Sequence, residues 1–155
     1  MASPDRRLHA VLRKAKSLAR EYRRLTGKPL GVTGGVAEYE ASRILGISLM
    51  PARHAGWDAL ETHGGGRRRL QIKGRVILDG NRRGQRLGRL RVSEKWDAVL
   101  MVLLDERLDA IEIWEAGRRA LVKALSVPGS RSRNERGALG VSKFKSIGKL
   151  RWRRA

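Results

Sequence analysis

Apolar side chains first recur at three- and four-residue steps, through Leu8, Val11, Leu12, Ala15, Leu18, Ala19, Tyr22 and Leu25. That period gathers them into one stripe of an amphipathic helix over residues 4–26. Ser3 is placed to cap it, Pro4 suits its first position, and Gly27 and Pro29 end it. The opposite face carries Arg13, Lys16, Arg20, Arg23 and Arg24. Solvation is the ordinary use of such a face, and phosphate contact is the alternative; His9 reads as surface. The apolar stripe is expected to pack on the core, with a subunit interface as its second use.

A second helix is predicted over residues 34–45, with Thr33 as its cap and Gly46 as its stop. Ala37, Ala41, Ile44 and Leu45 form its inward face and Glu38 borders it. At about 100° per residue Glu40 falls roughly 200° further round and reads as solvent-facing. The period then changes to two. Residues 47–49 are a short apolar run broken by Pro51, 55–60 a strand, 62–66 a glycine turn and 67–78 a long strand. On that long strand Leu70, Ile72 and Val76 point one way, and Gln71, Lys73 and Arg75 the other. Residues 79–91 hold almost no apolar side chain and read as a mobile loop or a ragged hairpin tip. The continuous run 96–104 suits a central strand buried on both faces, 110–114 an alternating partner, and 116–125 a short helix. The fold class expected is α/β, a mixed sheet flanked by helices with an extra N-terminal helix. The 155 residues suit a single domain, with a core over 33–125 and a basic C-terminal arm over 126–155.

Charge sharpens this picture. The chain carries a net +20, which draws polyanions and makes their binding salt-dependent. Residues 1–30 carry +7, 31–66 carry −2, 67–95 carry +9, 96–116 carry −5 and 117–155 carry +11. Basic segments therefore flank a small acidic centre that holds Glu38, Glu40 and Asp58. A binding module gains nothing from carboxylates at the centre of its nucleic-acid face, whereas a metal-dependent nuclease requires them. Without cysteine there is no disulfide and no thiolate metal site, and a reducing cytoplasm is expected. No apolar run approaches the ~18 residues of a membrane span, and the N-terminus lacks a signal peptide's apolar stretch.

The candidate chemistry lies between Glu38 and Lys73. Gln71 and Lys73 share a strand face, Asp58 precedes them on the paired strand, and a glutamate comes from the helix upstream. Carboxylates with a side-chain carbonyl suit a hard cation such as Mg2+ or Mn2+, with waters and phosphate oxygens completing the shell. An ammonium beside them equips the site for phosphodiester cleavage. His54 and His63 fit no familiar ligand spacing.

The segments TGGVAEYEASRILGI, ARHAGWDAL and LQIKGR, in that order, resemble the PD-(D/E)xK restriction-endonuclease-like superfamily in its QxK variant. Mrr-like restriction nucleases carry that variant and Holliday junction resolvases a related layout; the resemblance spans residues 33–116. It implies a restriction-endonuclease-like fold and a Mg2+-dependent DNA endonuclease acting in restriction or repair. Its catalytic set would be Glu38, Asp58, Gln71 and Lys73, with Asp58, Gln71 and Glu38 at the metal. The family's glutamate, about seven residues before Leu-Gly, falls on Glu38, with Glu40 as the alternative. DNA contacts are expected from Arg75, Arg82, Arg83, Lys95, Lys143 and Lys145. A homodimer is a possible assembly, with no small-molecule cofactor and no membrane. A catalytically inactive nucleic-acid-binding protein on the same fold is the alternative. In the tail, Phe144 and Trp152 offer stacking surfaces among Lys143, Lys145, Lys149 and Arg151. Phe144, Ile147, Leu150 and Trp152 pinning the tail to the core is an equally open use.

Overall fold

A computed structural model describes residues 4–78, 85–127 and 139–155. The chain builds α1 (Pro4–Thr26), α2 (Thr33–Leu45), β1 (Ser48–Leu49), β2 (Ala59–His63), β3 (Gly66–Val76), β4 (Ala98–Leu104), β5 (Ala110–Gly117), α3 (Arg118–Ser126), α4 (Val141–Ile147) and β6 (Lys149–Arg153). The strands form one six-stranded mixed sheet in sequence order, β1 to β6. Only β3 and β4 are parallel; every other neighbouring pair is antiparallel. Among the described residues no helix is long and apolar enough to cross a membrane.

The alternation in β3 divides the protein. Leu70, Ile72 and Val76 join Val36, Ala37 and Ala41 of α2, with Leu100, Val102 and Ile113, on one face. Val99, Met101 and Leu103 point to the other face, where Leu121 of α3 and Phe144 of α4 cover them. All seven residues of β4 are buried, which is what its unbroken apolar run requires. At the β2–β3 hairpin, Gly64 and Gly65 both take positive φ between the paired His63 and Gly66. That two-residue loop is the type whose twist matches the strands, and glycine enters it without steric cost.

Several expected boundaries shift. Asp58 precedes β2 rather than lying within a strand over 55–60. Thr33 is the first residue of α2, and Val32 stands at its N-cap with no side-chain hydrogen bond. Gly46 does end α2 in the left-handed conformation, its N–H donating to Ser42 O. Residues 85–91, the described part of the expected loop 79–91, are not a polar tip, because Leu87 and Leu90 are buried against the second face. Residues 79–84 and 128–138, with Ser3, lie outside the described residues. The tail is anchored: Phe144 is fully buried and β6 pairs with β5. Helix α1 departs most from expectation, since among its described side chains only Ala19 is buried while Leu8, Val11, Leu18, Tyr22 and Leu25 are exposed. Polar contacts hold it instead, Lys16 to Asp109 at 2.8 Å and to Glu40 at 3.4 Å, and His9 to the Tyr39 hydroxyl at 3.0 Å.

Helix α2 meets β3 closely at Gly74, where a Cβ would stand 2.6 Å from Ala37 Cβ and 3.2 Å from Thr33 O. Neither neighbour is the end of a flexible side chain, so any larger residue forces the helix off the sheet. Gly74→Ala is expected to destabilise the protein by about 1–3 kcal/mol, the usual cost of overpacking. In thermal or urea melts, Ala37→Gly in the same chain should recover part of that loss.

Candidate functional site

The candidate residues meet at the start of β2 and the middle of β3. Asp58 is held there by three hydrogen bonds to backbone. Its N–H donates to Leu70 O at 2.8 Å, its carbonyl accepts from Met50 N at 2.9 Å, and Oδ2 accepts from Ile72 N at 2.7 Å. The pairing of β2 ends at Ala59 and Leu70, so the side chain of Asp58 satisfies the next inward N–H of β3. Oδ1 keeps no hydrogen-bond partner among the described residues.

Gln71 and Lys73 project from the opposite face of β3 to Leu70 and Ile72, as their spacing predicts. With Asp58 they line an open cleft of about 510 Å³, closed on its other sides by His54, Gly56, Trp57, Arg89, Arg91 and Glu94. Gln71 is buried; its Nε2 donates to Gly56 O at 3.1 Å and to Glu94 Oε2 at 3.0 Å. Both partners are acceptors, so the amide can stand only this way round. Its carbonyl Oε1 is left buried with no partner. A buried orphan acceptor beside a carboxylate with an unused oxygen fits the donor set of a hard divalent cation. Lys73 lies half-buried on the same wall, without an ion-pair partner among the described residues.

Glu38 is near Asp58 but is not among the residues that line the cleft. Burial, and then the nearby Asp58 charge, hold its carboxyl above the ordinary value of 4.5. Glu40 is not the solvent-facing residue that the helix angle predicts. It is 3% exposed and accepts from Lys16 and from Arg43, the latter at 2.8 Å. The reason is tertiary: α1 crosses that side of α2 and brings Lys16 onto it. Of the two glutamates, Glu40 is thus occupied by ion pairs, while Glu38 makes none among the described residues.

The expected DNA contacts separate. Arg75 is half-buried on the Lys73 face with its Nε unpartnered, and Lys95 and Lys143 are exposed. Lys145 is engaged inside the protein, 2.8 Å from Glu112 and over the Trp114 ring. Arg82 and Arg83 lie outside the described residues. Sequence reading missed Glu94, which orients Gln71, and Trp57, which carries His54 edge-on at 4.6 Å and Arg69 over its ring. A signal for Glu94 existed: it is one of only two acids in the +9 segment 67–95. The geometry of Trp57 had none beyond its place next to Asp58.

No protein-family model matches the chain, and no curated protein matches it.

Two outcomes test this site. Gln71→Glu would set a carboxylate against two acceptors, so it is expected to lower the melting temperature, and Glu94→Gln in the same chain to restore it; a double-mutant cycle reads the coupling. For Glu38, a raised folded-state pKa contributes stability that is present below about pH 4.5 and lost as pH rises through the folded value. Glu38→Gln should therefore raise the melting temperature of the metal-free protein near pH 7 and leave it unchanged near pH 4, in melts compared across that range.

Proposed function

We propose that this chain is a metal-dependent nuclease that hydrolyses DNA phosphodiester bonds on a restriction-endonuclease-like fold. The observation that carries this reading is the convergence of Asp58, Gln71 and Lys73 on one cleft, each with a polar atom left unpaired. Asp58 Oδ1 and Gln71 Oε1, with Glu38 near Asp58, would hold Mg2+ or Mn2+. When bound, a divalent ion supplies positive charge at the phosphate and a water of lowered pKa. Lys73 orients the attacking water and offsets charge that develops on the phosphorane-like transition state. Glu94 and the Gly56 carbonyl hold the Gln71 amide in one orientation, which leaves its carbonyl as the end without a partner. Arg89 and Arg91, at the rim, match phosphate oxygens with their guanidinium forks.

The neutral amide at position 71 has a consequence. Two carboxylates and an amide attract a divalent ion less strongly than three carboxylates, so a phosphate oxygen from DNA completes the donor set. The same count favours one second reading, a protein that binds nucleic acid in this cleft without cleaving it.

Plasmid, linear, single-stranded and branched DNA, each with Mg2+, Mn2+ or EDTA, separate the two. The nuclease reading expects metal-dependent cleavage that falls by at least about 10²-fold in Lys73→Ala, the scale of a lost transition-state donor. DNA that is retarded but intact under every metal condition overturns it and leaves the binding protein.

A further inference from the structure

The exposed apolar residues of α1 are not scattered. Leu8, Val11, Ala15, Leu18, Tyr22 and Leu25 alternate steps of three and four without a break, the a and d positions of three heptads. Four of them, Leu8, Val11, Leu18 and Leu25, are 49%, 61%, 60% and 68% exposed. The helix touches its own domain through a different seam, Lys16, Ala19 and Arg23, which lies about 100° round the helix from the first. One side of α1 is thus anchored, and a regular apolar seam beside it is left open.

We infer that this seam pairs with the same seam of a second copy of the chain, as an antiparallel two-helix coiled coil about a two-fold axis. The charges flanking the seam choose both the partner and the direction. Just before its second and third heptads the flank away from the domain carries Lys14 and Glu21, of opposite sign. Neither has an ion-pair partner among the described residues. With Leu8 layered on Leu25, Val11 on Tyr22 and Ala15 on Leu18, antiparallel packing sets Lys14 of each copy beside Glu21 of the other. The two-fold axis makes that pair twice, the self-complementarity that an isologous interface requires. Parallel packing would instead set Lys14 toward Ala19 and Glu21 toward Thr26, with no charge pair. Arg13, Arg20 and Arg24 project from the side of the helix away from the seam, and Arg7, on the same flank as Lys14 and Glu21, stands at the end of the seam beside the last turn of the partner helix. A bilayer surface fits less well. A helix lying in lipid presents a broad apolar face, whereas this seam is two positions wide and one flank carries both signs.

The test is sedimentation equilibrium of the full-length protein and its variants, with no nucleic acid present, so that it stands apart from the nuclease reading. The wild type is expected to be dimeric, with a melting temperature that rises with protein concentration, and Leu18→Asp monomeric and folded, with a melting temperature independent of concentration, since that residue touches little of its own chain. Lys14→Glu and Glu21→Lys should each weaken self-association roughly tenfold, two surface pairs having turned repulsive. The two together should restore it, a rescue that parallel packing does not produce. A monomeric wild type at every concentration, or single charge reversals that leave the dimer untouched, would overturn the inference. So would a monomeric protein whose α1 floats with anionic phosphatidylserine vesicles, which assigns the seam to lipid.

Discussion

The contact between Gly74 and the first turns of α2 fixes the geometry on which the candidate site depends. Strand β3 carries Gln71 and Lys73 on one face and meets α2 with the other, at Leu70, Ile72 and Gly74. Because position 74 has no side chain, the helix settles until Ala37 and the Thr33 carbonyl lie against the strand backbone. Glu38 is the residue after Ala37. Its burial and its closeness to Asp58 therefore follow from a packing distance, and both, burial first, hold the Glu38 carboxyl above its ordinary value. Asp58 in turn is tied to β3 through Leu70 and Ile72, so helix, loop and strand share one reference, the backbone of β3.

On the other face of β3 the controlling interaction is the Gln71 amide. Its two N–H bonds end on acceptors, one of them ionisable, and this polarises the carbonyl that remains. A carboxylate at position 71 would present only lone pairs to Gly56 O and Glu94. The amide at this position is thus matched to the local environment as well as to any ligand, and Glu94 belongs to the site although it is remote from Gln71 in sequence.

What could be read from the sequence depended on how local its cause was. The two faces of β3, the stop at Gly46 and the buried run of β4 follow from periods of two and of 3.6 and from one positive φ, so they were legible. Glu40 was misread because its helix angle describes α2 alone, and Lys16 arrives from another helix. The open seam of α1 was misread for the converse reason: an apolar stripe announces that it will be covered but not by what. Asp58 was assigned to a strand because its neighbours Ala55 and Trp57 are apolar, although its work is to satisfy an N–H beyond the end of the β2 pairing. In the tail, Lys and Arg among apolar residues left docking on DNA and pinning to the core equally open, since charge in a sequence does not reveal where its counter-charge lies.

That counter-charge lies largely on β5 and on the turn before it. Glu112 takes Lys145 and Arg153, Glu115 takes Arg68, Lys149 and Arg151, and Asp105 takes Arg154. Burial pushes the Glu112 and Glu115 carboxyls up, but hydrogen bonds from these cations outweigh it and hold both below the ordinary carboxylate range. Five basic residues of the tail are thus spent inside the protein, where they fasten α4 and β6 to the sheet. The acidic segment 96–116, at −5, offsets most of the +6 carried by residues 139–155, despite a net charge of +20. Lys73, Arg75, Arg86, Arg89 and Lys95 have no acidic partner among the described residues, and two of them line the same cleft as Asp58 and Gln71. A uniformly basic protein would attract a polyanion anywhere on its surface. Cancellation at one end of the sheet leaves cations without acidic partners in the cleft where the unpaired donors and acceptors converge.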